Sequence, residues 1–476
     1  MVKKIDKKAF TLIEVLVVVA IIGILALLTV PRFIGHTQKA ELVRIQHDVK
    51  AMEKEIGTEF VNGDDGFNEW ESNSKDLNQL IQDKELFEKE GVATEVESID
   101  GPYKIVPKEY KAKINTKLKG TFYTNSGGKV YYENGEMPIG LNAIESLVSS
   151  NENAKTVYDQ WSEKYIITTE AGTFVNSSED SSVKTAISES QGYGMLLTAT
   201  AKNGTEETFN NLYNYYMNHR GHDTNLMAWQ QTYTGGSVTN DDNNATDGDL
   251  FIAESLIQAA KRWPNKKLEY ETQAKNILTD ILKYNYNDEI GILTVSIWAT
   301  SNTKEWTVFR TSDVIPIFFK HFKTLTGDPN WTRIYTNMIK YTKDVSSSTK
   351  SNLVPDFINV KDGKGEPVDY AVMWDNEATF YGWSAIRVPT MLSFGTVPKE
   401  ATQLVTPMIN FLGKEEPLYA LYNLDGTPAV NYSSKATLDA LNYAQYKIQN
   451  KDLPDYNLPN GGYYTDTLYA LSRVVK

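Results

Sequence analysis

Two short acidic strings, each at the predicted start of a helix, hold the residues best suited to chemistry. In SESQGYGM, Ser188 and Gln191 have the spacing of a capping box, which places Glu189 in the first turn of a helix. In ATDGD, Thr246 marks a second helix start, where free backbone N–H groups should keep Asp247 ionised. Carboxyl groups held in this way suit proton transfer. Simple capping and helix-dipole roles explain the same residues, so both interpretations stay open at this point.

The order of these strings along the chain, with several others, resembles glycoside hydrolase family 8. The matching strings are SESQGYGMLL (188–197), NLMAW (225–229), ATDGDLFIAESLIQAAKRW (245–263), RTSD (310–313), LVPDF (353–357) and AIRVP (385–389). The resemblance covers about residues 150–476. It implies an (α/α)6 barrel that cleaves β-1,4-linked glycans internally, with inversion at the anomeric carbon and without a cofactor.

The resemblance also implies roles for individual residues. Glu189 matches the general acid, and Asp247 matches a central acidic residue that contacts the sugar and helps to order the attacking water. The expected substrate-binding residues are Trp229, Arg387, Asp313 and Tyr193. An inverting glycosidase needs a protonated carboxyl group on one side of the bond and an ionised one on the other, roughly 6.5–9.5 Å apart. We therefore expect the pKa of Glu189 to be raised.

The general base is the residue that the sequence does not assign uniquely. Many members of the family carry aspartate directly before Ala-x-Arg-x-Pro, whereas this chain has Ser384, which cannot serve as a carboxylate base. RTSD is more similar to the branch of lichenases and chitosanases, in which a glutamate just upstream is the base. The candidates are Glu377, which is favoured, then Asp375, and also Glu366 and Asp369. A domain that lacks a base and only binds glycans is the alternative.

Composition narrows the remaining functions. The chain of 476 residues has 48 Lys and Arg against 61 Asp and Glu, a net charge of −13, which disfavours general binding to nucleic acid. It has no cysteine, which excludes disulfides and thiolate zinc sites. With only five histidines and no HExxH string, we expect no metal site.

The N-terminus predicts a membrane segment. Residues 1–9 include four lysines, and residues 10–30 are apolar except for Glu14, which is long enough to span a bilayer as a helix. An apolar stripe then continues the helix to residue 60. The string KKAFTLIEVLVVVAIIGILA resembles the prepilin signal of type IV pilins and pseudopilins. That resemblance implies cleavage between Ala9 and Phe10 by a prepilin peptidase, methylation of the new N-terminus, and pairing of Glu14 with a neighbouring pilin subunit.

These patterns divide the chain into four parts. We expect a leader at 1–9, a pilin-like helix at 10–60, a small α+β head at 61–145 and a mainly α catalytic domain at 146–476. Turn residues in GTFYTNSGGKVYYENGE (120–136) predict a hairpin in the head, and helical patterns recur after residue 150 without clear strand alternation.

The sequence therefore predicts an endo-β-glucanase outside the cell, anchored in the membrane or incorporated in a pilus-like filament. Mixed-linkage β-1,3-1,4-glucan is the favoured polysaccharide. The alternatives are a chitosanase, cellulase or xylanase of the same family, or a minor pilin with a glycan-binding head. A secretory signal peptide is the alternative for the N-terminus.

Overall fold

The computed structural model describes residues 144–373, 378–453 and 456–476, together with four short strands nearer the N-terminus. The chain divides into two compact units, an N-terminal unit (1–143) and a C-terminal unit (144–476). The predicted leader and pilin-like helix, with Ala9, Phe10 and Glu14, lie outside the described residues. Among the residues that are described, no helix is both long enough and apolar enough to span a bilayer.

The described part of the N-terminal unit is an antiparallel sheet. Its strands are β1 (Phe87–Glu88), β2 (Tyr103–Ile105), β3 (Thr121–Thr124) and β4 (Val130–Glu133), hydrogen-bonded in that order. Strands β3 and β4 form the hairpin that the sequence predicts, with Phe122 opposite Tyr132. The hairpin prediction is therefore confirmed.

Helices dominate the C-terminal unit. They are α1 (Ala154–Tyr165), α2 (Ser188–Thr200), α3 (Glu206–Asn218), α4 (Thr246–Arg262), α5 (Lys267–Tyr284), α6 (Pro316–Thr326), α7 (Asn330–Ser348), α8 (Val388–Met391), α9 (Lys399–Leu412), α10 (Lys435–Gln449) and α11 (Tyr463–Val474). Short 3₁₀ turns lie at Pro264–Lys266, Lys304–Thr307, Thr311–Asp313 and Ala385–Arg387. The mainly α prediction is confirmed for this unit.

Two kinds of helix build the unit. Every residue of α2 except Glu189 is buried, and α4 is buried from Thr246 to Ala260, so both helices lie in the interior. Helix α5 instead buries one stripe, formed by Tyr270, Gln273, Ala274, Ile277, Leu278 and Ile281, as expected for a helix on the outside. Helix α2 packs against α4 and α11, and α10 packs against α8 and α11. The stacked rings of Phe318 and Phe394 join α6 to the segment after α8.

Ten short strands connect these helices, although the sequence pattern after residue 150 suggested no strands. They are β5 (Ile166–Thr169), β6 (Gly172–Val175), β7 (Val183–Ile187), β8 (Gln230–Thr234), β9 (Ser237–Asp241), β10 (Tyr286–Asn287), β11 (Ile292–Leu293), β12 (Val308–Arg310), β13 (Phe357–Lys361) and β14 (Lys364–Pro367). None exceeds five residues, so alternation of polar and apolar residues is too brief to identify them. Two matter for the site: β7 runs directly into α2, and β12 ends at Arg310.

Candidate active site

A close contact between two glycines brings the starts of α2 and α4 together. A Cβ atom on Gly192 would lie 2.7 Å from Cβ of Phe251 and 2.9 Å from the carbonyl oxygen of Gly248. A Cβ atom on Gly248 would lie 2.4 Å from Oγ of Ser188. Side chains at these positions would force the helices apart, so the glycines let their first turns touch. This contact places Glu189 of α2 beside Asp247 of α4.

Glu189 lies in a nearly buried position against a cation. Its side chain is 14% exposed, and its Oε2 accepts a hydrogen bond of 2.6 Å from Nη1 of Arg387. Burial raises the pKa of Glu189 from 4.5 to about 7; Arg387 opposes the rise and the negative charge of Asp247 supports it. Glu189 is therefore a carboxyl group that holds its proton close to neutral pH, as a general acid requires.

Asp247 is held as an anion by two arginines. Its Oδ2 contacts Nη1 of Arg310 and lies 3.8 Å from Nη1 of Arg387, while its Oδ1 accepts from the N–H of Gly248 at 2.9 Å. Burial alone would raise the pKa of Asp247, but Arg310 and Arg387 outweigh burial and hold the pKa below its usual range. The site thus holds one carboxyl group that keeps its proton and a neighbour that loses it.

Arg387 joins several parts of the site. Nη1 also donates to the hydroxyl of Tyr193 at 2.8 Å, and Nη2 donates to Oγ of Ser384 at 3.2 Å. Tyr193 is only 1% exposed and packs edge-to-face on Phe251. Its hydroxyl therefore helps to hold the guanidinium of Arg387 in place. The substrate-binding role predicted for Tyr193 stays a prediction.

Trp229 is half-buried and fixed next to the first turn of α2. Its backbone carbonyl oxygen accepts from the N–H of Ser188 at 2.8 Å, and its backbone N–H donates to the carbonyl oxygen of Asn243. Asp249 strengthens this arrangement, because its Oδ1 accepts from the N–H of Met227 at 2.8 Å. Burial raises the pKa of Asp249 to about 8. Asp249 is thus a buried residue that holds the backbone just before Trp229.

Asp313 is buried in the turn that follows Arg310. It is 3% exposed, and among the described residues its Oδ1 has no hydrogen-bond partner. Burial raises the pKa of Asp313 to about 7, with Arg310 opposing and Asp247 supporting the rise. Within the described chain, Nε of Arg310 and Nε of Arg387 also lack partners. Buried polar atoms are normally hydrogen-bonded, so three such atoms in one cluster distinguish this part of the chain from an ordinary core.

The segment predicted to supply the general base is only partly described. Residues 374–377, with Asp375 and Glu377, lie outside the described residues, but their neighbours are defined. Met373 contacts Arg310, with 3.8 Å between Nη2 and the sulfur. On the other side, Ala378 is buried in a small core that contains Val308 and Phe357. Both ends of the segment are therefore fixed close to Arg310, the partner of Asp247.

The other two candidates for the base lie elsewhere. Glu366 is exposed on β14, paired with Asn359 of β13, and Asp369 is also exposed. Within the described ranges, no three His, Asp or Glu side chains are grouped so that they could hold a metal ion.

Comparison with known proteins identifies the family. Residues 134–466 match the family described as Glycosyl hydrolases family 8. The chain belongs to this family. It is 30% identical over 254 residues to a β-glucanase of Niallia circulans, a match that covers 52% of this chain and 60% of that relative. The chain therefore spans less than two thirds of that relative's length.

A solved structure shares the fold of this family 8 chain. It is the apo structure of a β-1,3-1,4-glucanase from Paenibacillus sp. X4, with a TM-score of 0.59 and 23% sequence identity. The match covers 67% of this chain and 90% of the other.

The N-terminus matches a second, separate group of proteins. Residues 5–30 match the prokaryotic N-terminal methylation motif. This end of the chain is 37% identical over 60 residues to the type IV major fimbrial protein FimA of Dichelobacter nodosus, covering 13% of this chain and 38% of that protein. The resemblance to pilins is confirmed for this motif.

Sequence reasoning missed several residues that build the site. The string RTSD contains Arg310, for which the sequence alone predicts no role, although its guanidinium contacts Asp247 directly. Asp356, in LVPDF, is buried and binds the loop before Arg387. The sequence signal that could have identified Asp356 is a single aspartate inside the otherwise apolar string LVPDF. Tyr464, whose hydroxyl donates to the carbonyl oxygen of Trp383, had no such signal.

Proposed function

We propose that this protein is an inverting endo-β-glucanase that cleaves β-1,4 bonds of mixed-linkage β-1,3-1,4-glucan at the cell surface. The observation that carries the proposal is a pair of neighbouring carboxyl groups with opposed pKa shifts, the nearly buried Glu189 with a raised pKa and the buried Asp247 with a lowered pKa, in a chain of family 8. Groups whose environments push their pKa values apart are typical of acid–base catalysis. The helical C-terminal unit is then an (α/α)6 barrel with this pair at one end.

Glu189 acts as the general acid. Because Arg387 donates to Oε2, the proton of the neutral acid belongs on Oε1, from which it passes to the glycosidic oxygen as the bond breaks. Arg387 then stabilises the carboxylate that remains. The same guanidinium keeps the acid from holding its proton too tightly at neutral pH.

Asp247 stays ionised beside the sugar and is not the base. One nitrogen, Nη1 of Arg387, contacts both Glu189 at 2.6 Å and Asp247 at 3.8 Å. The two carboxylate oxygens therefore stand closer together than the roughly 6.5–9.5 Å that admits a water between acid and base. Asp247 instead offers a fixed negative charge to the oxocarbenium-like transition state and to the water.

The base that we propose is Glu377. Met373 contacts Arg310, so the segment that carries this candidate follows directly after a residue at the cation that holds Asp247. Asp375 has a shorter side chain and is the second candidate. We expect Glu377→Gln to reduce kcat on the order of 10²–10⁴-fold, as Glu189→Gln should. Full activity of Glu377→Gln together with an inactive Asp375→Asn would transfer the role to Asp375.

The substrate and the stereochemistry are tested together. Reducing-sugar release from lichenan, carboxymethylcellulose, xylan and chitosan should be fastest with lichenan. Proton NMR should show the α-anomer first, because a single displacement inverts a β linkage. A faster rate on chitosan would overturn the substrate, first release of the β-anomer would overturn the mechanism, and no hydrolysis of any of the four would favour a glycan-binding head.

We propose that the N-terminus attaches this enzyme to the membrane or to a pilus-like filament. The basis is the match of residues 5–30 to the methylation motif. We expect cleavage between Ala9 and Phe10 and pairing of Glu14 with a pilin or pseudopilin subunit. A prepilin peptidase would be the processing partner.

A further inference from the structure

The loop before Arg387 is held by one buried carboxylate. Oδ1 of Asp356 accepts from the N–H of Gly382 at 3.0 Å and of Ala385 at 2.6 Å, and Oδ2 accepts from the N–H of Ser384 at 3.1 Å. A Cβ atom on Gly382 would lie 2.6 Å from Oδ2, so the backbone can close on the carboxylate only because residue 382 is glycine. Asp356 thus fixes the backbone of residues 382–385.

The fixed loop holds the guanidinium of Arg387 from one side. Oγ of Ser384 accepts from Nη2 at 3.2 Å, while Nη1 donates to Glu189 at 2.6 Å. The planar guanidinium makes both bonds at once, so the position of Ser384 sets the direction in which Nη1 points. A continuous series of hydrogen bonds therefore runs from Asp356 through Ser384 and Arg387 to Glu189.

The backbone of Asp356 belongs to the same arrangement. Its carbonyl oxygen accepts from the N–H of Thr311 at 3.0 Å, directly after Arg310, and its N–H donates to the carbonyl oxygen of Phe380 at 3.0 Å. Asp356 is 0% exposed. One residue thereby connects the segment of Arg310, which holds Asp247, to the segment of Arg387.

We propose that Asp356 and Ser384 are positioning residues that hold Arg387 against Glu189, Asp356 by fixing the loop and Ser384 by orienting the guanidinium. This inference rests on the proposed role of Glu189 as the acid. The effect of the two residues reaches the reaction through the cation, which governs how firmly Glu189 holds its proton.

The variants Ser384→Ala and Asp356→Asn test the inference. In Ser384→Ala, Nη2 of Arg387 loses its acceptor. In Asp356→Asn, an N–H₂ group replaces a carboxylate oxygen that accepts from backbone N–H groups in the wild-type protein. Because a cation within about 4–6 Å lowers a carboxyl pKa by roughly 1–3 units, a less well placed Arg387 should raise the pKa of Glu189 by about 0.5–1 unit. We expect kcat for lichenan to fall roughly tenfold or more, since small misplacements are costly.

Two measurements on the full-length protein separate positioning from a merely structural role. The first is the alkaline limb of kcat/KM against pH. The second is ¹³C NMR titration of glutamate carboxyl carbons, with Glu189→Gln identifying the resonance of Glu189 without any substrate. The matched control is Asp439→Asn, a buried aspartate that binds Ser472 instead. Asp439→Asn should leave the titration of Glu189 unchanged.

The outcomes distinguish this inference from the proposed function. A shifted Glu189 titration in both variants supports positioning, even if the wild-type protein hydrolyses none of the polysaccharides and the proposed function fails. Lower activity with an unchanged Glu189 titration would overturn the inference and leave the proposed function in place. If Asp356→Asn does not fold by circular dichroism, Ser384→Ala decides the question alone.

Discussion

The raised pKa of Glu189 predicts the pH range over which hydrolysis declines. A group with a pKa of about 7 is roughly 90% protonated at pH 6 and roughly 10% protonated at pH 8. We therefore expect kcat/KM for lichenan to fall about tenfold between these two values. With an ordinary glutamate pKa of 4.5, only about 3% of the acid would be protonated at pH 6, so the site keeps roughly thirty times more of the active form.

Initial rates from pH 5 to pH 9 at constant ionic strength measure this limb. Glu189→Gln is the matched control: it should lose on the order of 10²–10⁴ in kcat/KM, and its residual rate should show no limb near pH 7. An alkaline limb centred near pH 5 in the wild-type enzyme would refute the reasoning, because Glu189 would then titrate like an exposed glutamate.

The same shift links pH to stability, and its sign is fixed. The folded pKa of Glu189 lies above the unfolded value, so the contribution of its proton to stability is complete below about pH 4.5 and is lost as pH rises through about 7. Denaturant unfolding should therefore show a smaller loss of stability over this range in Glu189→Gln than in wild type. An equal loss in both proteins would assign the pH-dependent loss of stability to other buried groups, such as Asp249.

The remaining predictions concern Asp313 and the N-terminus. Asp313→Asn removes a negative charge from the buried cluster, so it should lower the pKa of Glu189 and move the alkaline limb of kcat/KM to lower pH; an unmoved limb would separate Asp313 from the acid. Edman sequencing of the mature protein should begin at a methylated Phe10, because residues 5–30 match the methylation motif and we propose cleavage after Ala9. A mature start between residues 25 and 40 would contradict pilin-type processing.

Local sequence patterns located the helices well and the strands poorly. Thr246 in the string ATDGD predicts a helix start, and α4 spans Thr246–Arg262. Helices also carry a periodic signal, because each apolar face repeats over several turns. A strand such as Tyr286–Asn287 has two residues and exists because Ile292–Leu293 pairs with it, so nothing local announces it.

The capping pattern located the start of α2 correctly but identified the wrong side chain as the cap. The spacing of Ser188 and Gln191 suggested that Ser188 caps α2, whereas the helix already includes Ser188 and the N–H of Ile187 donates to Oγ of Ser190. The amide of Gln191 instead donates to the carbonyl oxygen of Leu212. Composition at a helix start is therefore informative about where the helix begins, and tertiary contacts decide which side chain makes the cap.

The proposed function depends most on the raised pKa of Glu189, which arises from a set of charged residues that are distant from one another in the sequence. Among the described residues of the site, Glu189, Asp247 and Asp313 would carry three negative charges if all were ionised, against two positive charges on Arg310 and Arg387, which leaves one negative charge uncompensated within this buried set. An uncompensated charge is costly where water is excluded, so the cluster favours keeping one proton near neutral pH.

Asp247 does not take this proton, because Arg310 contacts Asp247 directly. The proton is left to Glu189 and Asp313, both with pKa raised to about 7, and their titrations belong to the cluster as a whole. Nearly 200 residues separate Glu189 from Arg387 (198 positions), so no local pattern could reveal a balance that only the fold creates.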